Sequence, residues 1–113
     1  MLVLEVIDGP NLGNTYPLPV GEPQLIGRSS ESLPLTDPTV SRRHAELTPD
    51  DDKWFLRDLD SANGTFLNGR RLVDRVALRQ GDEIGCGSTL FLVSERGSLP
   101  TETILSATSL DTS

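Results

Sequence analysis

Short runs of apolar and β-branched residues, separated by turn-forming residues, make up the first 96 positions of the chain. Runs of about four to eight such residues are typical of β-strands. No window in this region has the i, i+3, i+4 spacing of apolar residues that an amphipathic helix needs. The pattern predicts strands at positions 1–8, 15–18, 24–28, 43–48, 53–59, 65–67, 76–78, 81–85 and 89–93. Many short strands with this punctuation predict an all-β sandwich.

Two Asn-Gly pairs give the strongest turn signals in the chain. Asn63-Gly64 and Asn68-Gly69 each match a type I′ hairpin turn, which needs a positive φ at both central positions. They predict a very short strand at 65–67 with a tight turn on either side. The stretch 29–41 is rich in Ser, Pro, Asp and Thr, which predicts a long loop.

The last seventeen residues differ from the rest of the sequence. Eight of these seventeen are Ser or Thr, and none is aromatic. We therefore expect a folded domain at 1–96 and a flexible Ser/Thr-rich tail or linker at 97–113. The alternative is a short, weakly amphipathic helix near 103–110, with Ile104, Leu105 and Leu110 on its apolar side.

Charge and composition exclude several classes of function. Ten basic and seventeen acidic residues give a net charge of −7, which disfavours binding to nucleic acid or to an anionic membrane. One cysteine excludes a disulfide framework, and one cysteine with one histidine cannot fill a four-ligand zinc site. We therefore expect no metal and no cofactor. Without a signal peptide or a long apolar run, the expected location is the cytoplasm.

The basic residues are nonetheless unusual in kind and in place. Nine of the ten are arginine, whose planar guanidinium fits a phosphate group with two parallel hydrogen bonds. Five of them lie in or beside predicted loops, namely Arg28, Arg42, Arg43, Arg70 and Arg71. If these loops meet in space, a net-acidic chain would present one local positive patch for a small anionic group.

Four motifs follow one another along this strand pattern. They are Gly27-Arg28, Ser41-Arg42-Arg43-His44, Asn63-Gly64-Thr65 and Asn68-Gly69. In this order they resemble the signature of the forkhead-associated (FHA) domain, a reader of phosphothreonine peptides. The resemblance covers positions 2–95. It implies a β-sandwich of two twisted, largely antiparallel sheets, with the ligand loops at one end.

The resemblance also implies roles for individual residues. Arg28 and Ser41 would bind the phosphate, with Arg42 as an additional contact. Asn63 would hydrogen-bond the main chain of the bound peptide. The remaining motif positions would support the loops without touching the ligand: Gly27, His44, Gly64, Thr65, Asn68 and Gly69.

One position departs from the family pattern. Many members carry threonine just before the asparagine of the Asn-Gly-Thr motif, whereas this chain has Ala62, preceded by Ser61. We assign both residues to the peptide-binding loop, because a backbone N–H remains there, and expect a working site with one fewer hydroxyl.

The function that the resemblance implies is phosphothreonine-dependent binding of a partner protein in signalling, without catalysis. Ser41 and His44 suggest a nucleophile and a base, but no acid partner or oxyanion motif accompanies them. Such domains are commonly one module of larger proteins, so kinase or other signalling domains in the same full-length chain are expected.

Two alternatives stay open from the sequence. One is a phosphate-independent interaction or dimerisation module that uses a sheet face. The other is self-association through a phosphorylated tail, in which Thr101 or Thr108 would carry the phosphate.

Overall fold

A computed structural model describes residues 1–28 and 33–96, and these residues form short β-strands joined by turns and loops. The strands are β1 (Leu2–Asp8), β2 (Thr15–Pro17), β3 (Gln24–Gly27), β4 (Leu33–Pro34), β5 (Ala45–Asp50), β6 (Lys53–Asp58), β7 (Thr65–Leu67), β8 (Arg70–Arg71), β9 (Val76–Ala77), β10 (Glu83–Cys86) and β11 (Thr89–Glu95). Within these two ranges there is no helix with the length and apolar character to cross a membrane.

The strands form two sheets. One has the order β2-β1-β11-β10-β7-β8, and the other has the order β4-β3-β5-β6-β9. All neighbouring strands are antiparallel except β3 and β4, which pair in parallel. The first and last strands lie side by side, with Leu2 opposite Glu95. The predicted all-β sandwich of two largely antiparallel sheets is confirmed.

The core lies between the sheets and draws on alternate residues of the long strands. Leu47 and Leu56 from one sheet and Ile84 and Phe91 from the other are fully buried. Successive side chains of a strand face opposite sides of the sheet, and the neighbouring residues Trp54 and Phe55 of β6 are an example. Trp54 joins the core. Phe55 faces outward, where the guanidinium of Arg75 lies 4.0 Å from the centre of its ring.

The two Asn-Gly pairs behave differently. Asn68 and Gly69 have φ angles of 51° and 84°, and they form the predicted hairpin between β7 and β8. At the other pair only Gly64 has a positive φ, of 84°. The strands on either side of it, β6 and β7, belong to different sheets. The predicted hairpin at Asn63-Gly64 is wrong, because this segment carries the chain from one sheet to the other.

Several strand boundaries also differ from the sequence prediction. The stretch expected as a loop contains β4, and β8 was not predicted. Strand β5 continues through Pro49, which is tolerated because β3 begins at Gln24, opposite Leu47, so that β6 is the only strand paired with β5 at Pro49. The tail at 97–113, with its alternative helix, lies outside the described residues.

Candidate functional site

Three loops meet at one end of the sandwich. They follow β3, precede β5 and connect β6 to β7. The backbone N–H of Arg28 donates to the Ser41 carbonyl at 3.3 Å. The N–H of Ala62 donates to the Ser41 hydroxyl oxygen at 2.9 Å. Ser41 thus links the loop after β3 to the connection between β6 and β7, and residues far apart in sequence become neighbours.

Arg28 is held by its own side chain as well. Its Nε donates to the Val40 carbonyl at 2.5 Å, while the residue as a whole is exposed. This bond fixes the plane of the guanidinium and uses only one of its five N–H groups. Among the described residues, the two terminal nitrogens make no ion pair.

Ser41 and Gly27 complete this part of the site. The Ser41 oxygen accepts the Ala62 N–H, and a hydroxyl group that accepts one hydrogen bond can still donate its hydrogen. Gly27 packs directly against the carbonyl of Arg42, where a Cβ atom would overlap that carbonyl. Glycine is therefore required for close approach, and it keeps exposed Arg42 beside the same loops.

The buried side chain of His44 connects the loop before β5 to the connection between β6 and β7. The ring is fully buried, and its Nδ1 accepts the Ser41 N–H at 3.0 Å. Its Nε2 lies 2.8 Å from the Gly64 carbonyl. Because Nδ1 accepts a hydrogen bond, the ring hydrogen lies on Nε2, which donates it to the Gly64 carbonyl. Both ring nitrogens are used by backbone groups, so the ring does not act on the Ser41 hydroxyl.

The connection between β6 and β7 is braced by Asp58. Its carboxylate accepts the Ser61 hydroxyl at 2.5 Å, the Ser61 N–H at 3.2 Å and the Thr65 hydroxyl at 2.6 Å. Burial alone would raise the pKa of Asp58, but these hydrogen bonds outweigh burial and lower it. The Ser61 hydroxyl is thus turned inward. Asn63 lies exposed on the same connection, and its Nδ2 donates to the Thr39 carbonyl at 2.7 Å.

Asp37 and Thr39 form a second brace that the sequence analysis missed. Asp37 is 1% exposed and accepts the Thr39 N–H at 2.8 Å, the Thr39 hydroxyl at 2.6 Å and the Thr89 hydroxyl at 2.8 Å. Burial would raise the pKa of Asp37, but the hydrogen bonds together lower it. An Asp followed two residues later by Thr is a local turn signal, whereas Thr89 could not have been identified from the sequence.

Asn68 and Gly69 lie apart from this cluster, at the far end of β7. The Asn68 side chain donates to Asp82 at 3.1 Å and accepts the Glu83 N–H at 2.9 Å. These contacts join the β7–β8 turn to the turn before β10. The structure therefore places Asn68 and Gly69 in the scaffold.

The arrangement concentrates hydrogen-bond donors on one small area. It offers the terminal guanidinium nitrogens of Arg28, the hydroxyl of Ser41, exposed Arg42 and the amide of Asn63. Charge-assisted donors held by the backbone suit a small, highly charged oxyanion such as a phosphate group. Within the described ranges, no three His, Cys, Asp or Glu side chains are grouped to hold a metal ion. Burial, followed by Asp58 and Asp37, raises the pKa of the Cys86 thiol far above its usual value, so the thiol stays protonated.

Comparison with known proteins places these loops in a family context. The family model described as "FHA domain" matches residues 25–87, which contain the three loops. The FHA domain-containing protein FhaB of Mycolicibacterium smegmatis is 39% identical over 71 residues, which are 62% of this chain and 46% of that protein. The chain spans about half the length of the curated relatives that it matches.

Solved structures show the same architecture. A domain from a study of phosphothreonine-dependent FHA domain interactions superimposes with a TM-score of 0.75 at 35% identity, covering 85% of this chain and 97% of its own. The FHA domain of yeast Dun1, solved with a doubly phosphorylated peptide, gives a TM-score of 0.73 at 31% identity, covering 89% and 78%.

Proposed function

This chain belongs to the FHA domain family, and on that premise we propose that it is a phosphothreonine-dependent protein-interaction module. The observation that carries the proposal is the meeting of Arg28 and Ser41. The Arg28 N–H donates to the Ser41 carbonyl at 3.3 Å. The Arg28 side chain is anchored on Val40 and the Ser41 hydroxyl by Ala62, and these contacts support a shared phosphate site. A domain of similar fold, that of Dun1, was solved with a phosphothreonine peptide.

The phosphate would be bound by three side chains. The terminal nitrogens of Arg28 supply two or more charged donors, and the Ser41 hydroxyl adds a third. Arg42 contributes positive charge from the neighbouring position. Because Arg28 and Ser41 are held by backbone groups, less side-chain freedom is lost when the phosphate binds.

The peptide chain would be read at the β6–β7 connection. Asn63 uses one hydrogen of its amide on Thr39, which leaves the second hydrogen and the amide oxygen for the peptide main chain. Ala62 and Ser61 belong to the same proposed peptide-binding loop, but the Ala62 N–H donates to the Ser41 hydroxyl oxygen and so supports Ser41 instead of contacting the peptide. With its hydroxyl donated to Asp58, Ser61 would act by shaping the loop backbone that meets the peptide.

We propose binding without catalysis. FHA domains are interaction modules. The histidine of this chain has both ring nitrogens bonded to backbone groups, so it is not placed to activate Ser41 as a base. The module would therefore change the location or pairing of its partner without altering its covalent structure.

The partner would be a protein that carries phosphothreonine, with no role for nucleic acid or membrane. We assign the module to residues 1–96, followed by a linker or tail at 97–113, and place it in the cytoplasm. Because the curated relatives are about twice as long, other signalling domains in the same full-length protein form part of this proposal.

Titration calorimetry with one short peptide in unphosphorylated, phosphoserine and phosphothreonine forms tests the function. The phosphothreonine form should bind best. Arg28→Ala should weaken binding roughly 30-fold or more, since a charged pair in a desolvated site is worth about 2 kcal/mol or more.

Arg57→Ala is the matched control. It removes the same charge from an arginine paired with Glu46 at 2.8 Å, outside the cluster, and should leave binding within about twofold. Equal binding of the phosphorylated and unphosphorylated peptides would support a phosphate-independent module. Unchanged binding by Arg28→Ala would reject the assigned phosphate site.

A further inference from the structure

Arg71 lies against the backbone of the peptide-binding loop. It belongs to β8, and the space beside Gly64 is filled by its guanidinium. A Cβ atom placed on Gly64 would lie 2.8 Å from Arg71 Nε, 3.1 Å from Cζ and 3.3 Å from Nη2. Three guanidinium atoms at similar distances indicate that the group lies across the glycine. Gly64 directly follows Asn63, so this cation borders the proposed peptide path.

No other described residue neutralises this guanidinium. The ion pairs within residues 1–28 and 33–96 involve Arg57, Arg75 and the terminal amine, and none involves Arg71. Within the same ranges its N–H groups make no hydrogen bond. The residue is exposed, so its donors remain open to a ligand. Arg75, by contrast, faces both Asp50 and the ring of Phe55.

Gly64 explains how the guanidinium comes so close. The residue is buried with a φ of +84°, a region that disfavours side chains, and any side chain would displace Arg71. Its carbonyl is held by His44 at 2.8 Å. The backbone under the guanidinium is therefore fixed by the same residue that holds Ser41.

The distance along the loop limits which part of a ligand Arg71 can meet. Ala62 contacts Ser41 and Gly64 contacts Arg71, with Asn63 between them. Two peptide units span at most about 7 Å, which is about two residues of an extended peptide. Arg71 therefore lies beside residues near the phosphothreonine, and the phosphate itself stays with Arg28 and Ser41.

We propose that Arg71 is a specificity-determining residue that binds an acidic side chain of the phosphothreonine peptide. This inference rests on the proposed function and narrows the ligand to phosphothreonine segments with Asp or Glu nearby. A guanidinium matches a carboxylate with two parallel hydrogen bonds, which makes the contact selective as well as attractive.

Arg70 supplies a matched control on the same strand. Both arginines are exposed and lie next to each other, but successive residues of a strand point to opposite faces. Arg71 pairs across the hairpin with Phe66, and Arg70 pairs with Leu67. Arg70→Gln and Arg71→Gln therefore change the net charge equally, and only the second removes the cation beside Gly64.

The test uses a short phosphothreonine peptide with alanine at all other positions, and variants that carry one aspartate at each position in turn. Calorimetry on the intact chain should find one aspartate, about two to four residues from the phosphothreonine, that tightens binding about three- to tenfold. Arg71→Gln should abolish that gain, and it should weaken binding of the all-alanine peptide no more than Arg70→Gln does. Arg70→Gln should keep the gain, and Arg71→Lys should keep part of it.

The outcomes separate the two proposals. If the all-alanine phosphopeptide binds but aspartate gives no gain, or the gain survives Arg71→Gln, the role of Arg71 is overturned and the phosphate site stands. An equal loss in Arg70→Gln would show a general charge effect and also overturn it. If phosphorylation gives no increase in binding to the wild-type chain, the proposed function itself fails.

Discussion

At the scale of single residues, hydrogen bonds between the loop before β5 and the β6–β7 connection hold the proposed ligand site in place. His44 is the clearest case, because one buried ring accepts the Ser41 N–H and donates to the Gly64 carbonyl. The same ring thus sets the position of a proposed phosphate ligand and of the glycine beneath Arg71. A side chain with no contact to the peptide can in this way control both ends of the site.

We predict that His44→Phe destabilises the fold and weakens phosphopeptide binding. The phenyl ring roughly fills the space but leaves the Ser41 N–H and the Gly64 carbonyl without partners. Burying two such groups unpaired costs about 2–4 kcal/mol. Urea unfolding measures the loss.

Tyr16→Phe is the control, since it also removes one polar group from an aromatic side chain. Its hydroxyl donates to the Pro34 carbonyl at 3.0 Å near the surface, and we expect a loss of about 1 kcal/mol or less. Equal losses in the two variants would contradict the role given to His44.

At the scale of elements, glycine serves two different physical needs. Gly69 has a φ of +84° and open space around it, so glycine is favoured there because of its backbone conformation. Gly27 lies at the end of β3 and packs against the Arg42 carbonyl, so glycine is required there because a side chain would not fit. The first shapes a hairpin away from the site, and the second sets the spacing between two ligand loops.

Alanine substitutions should separate these roles. Gly69→Ala should cost about 1 kcal/mol of unfolding free energy, from left-handed backbone strain, and leave peptide binding unchanged. Gly27→Ala should cost more and reduce phosphopeptide affinity at least about tenfold, because the Ser41–Arg42 backbone must move. Urea unfolding and calorimetry on both variants check this. The prediction fails if Gly27→Ala binds as well as Gly69→Ala does.

At the scale of the whole molecule, two carboxylates connect the loops to the sandwich. Asp37 reaches Thr89 on β11, 52 positions away, and Asp58 on β6 reaches Thr65 on β7. Both groups are partly or fully buried acceptors whose pKa is lowered by hydrogen bonding. The two sheets and the ligand loops thus share contacts that are stronger when these groups are charged.

We predict that acid destabilises the fold through these groups. Because their pKa is lower in the folded chain, the unfolded chain binds more protons in acid. Their stabilisation is complete above the unfolded pKa, about 4, and is lost as pH falls through the folded values. Urea midpoints should fall between about pH 5 and pH 2.

Asp37→Asn should lower the midpoint at neutral pH and flatten its dependence on acid. The amide keeps the size of the side chain but cannot accept the same set of hydrogen bonds. An unchanged acid dependence in this variant would show that Asp37 does not carry it.

The sequence by itself determined most of the strands, the Asn68-Gly69 hairpin and the set of loop residues that resembles an FHA domain. These features depend on residues that are close together in the sequence, so they can be predicted from local backbone preferences. Only the tertiary structure decided that Asn63-Gly64 crosses between sheets, that Asp37 holds Thr89 and that Arg71 covers Gly64. Those contacts depend on the order in which strands pair, which joins residues distant along the chain and leaves no local pattern to read.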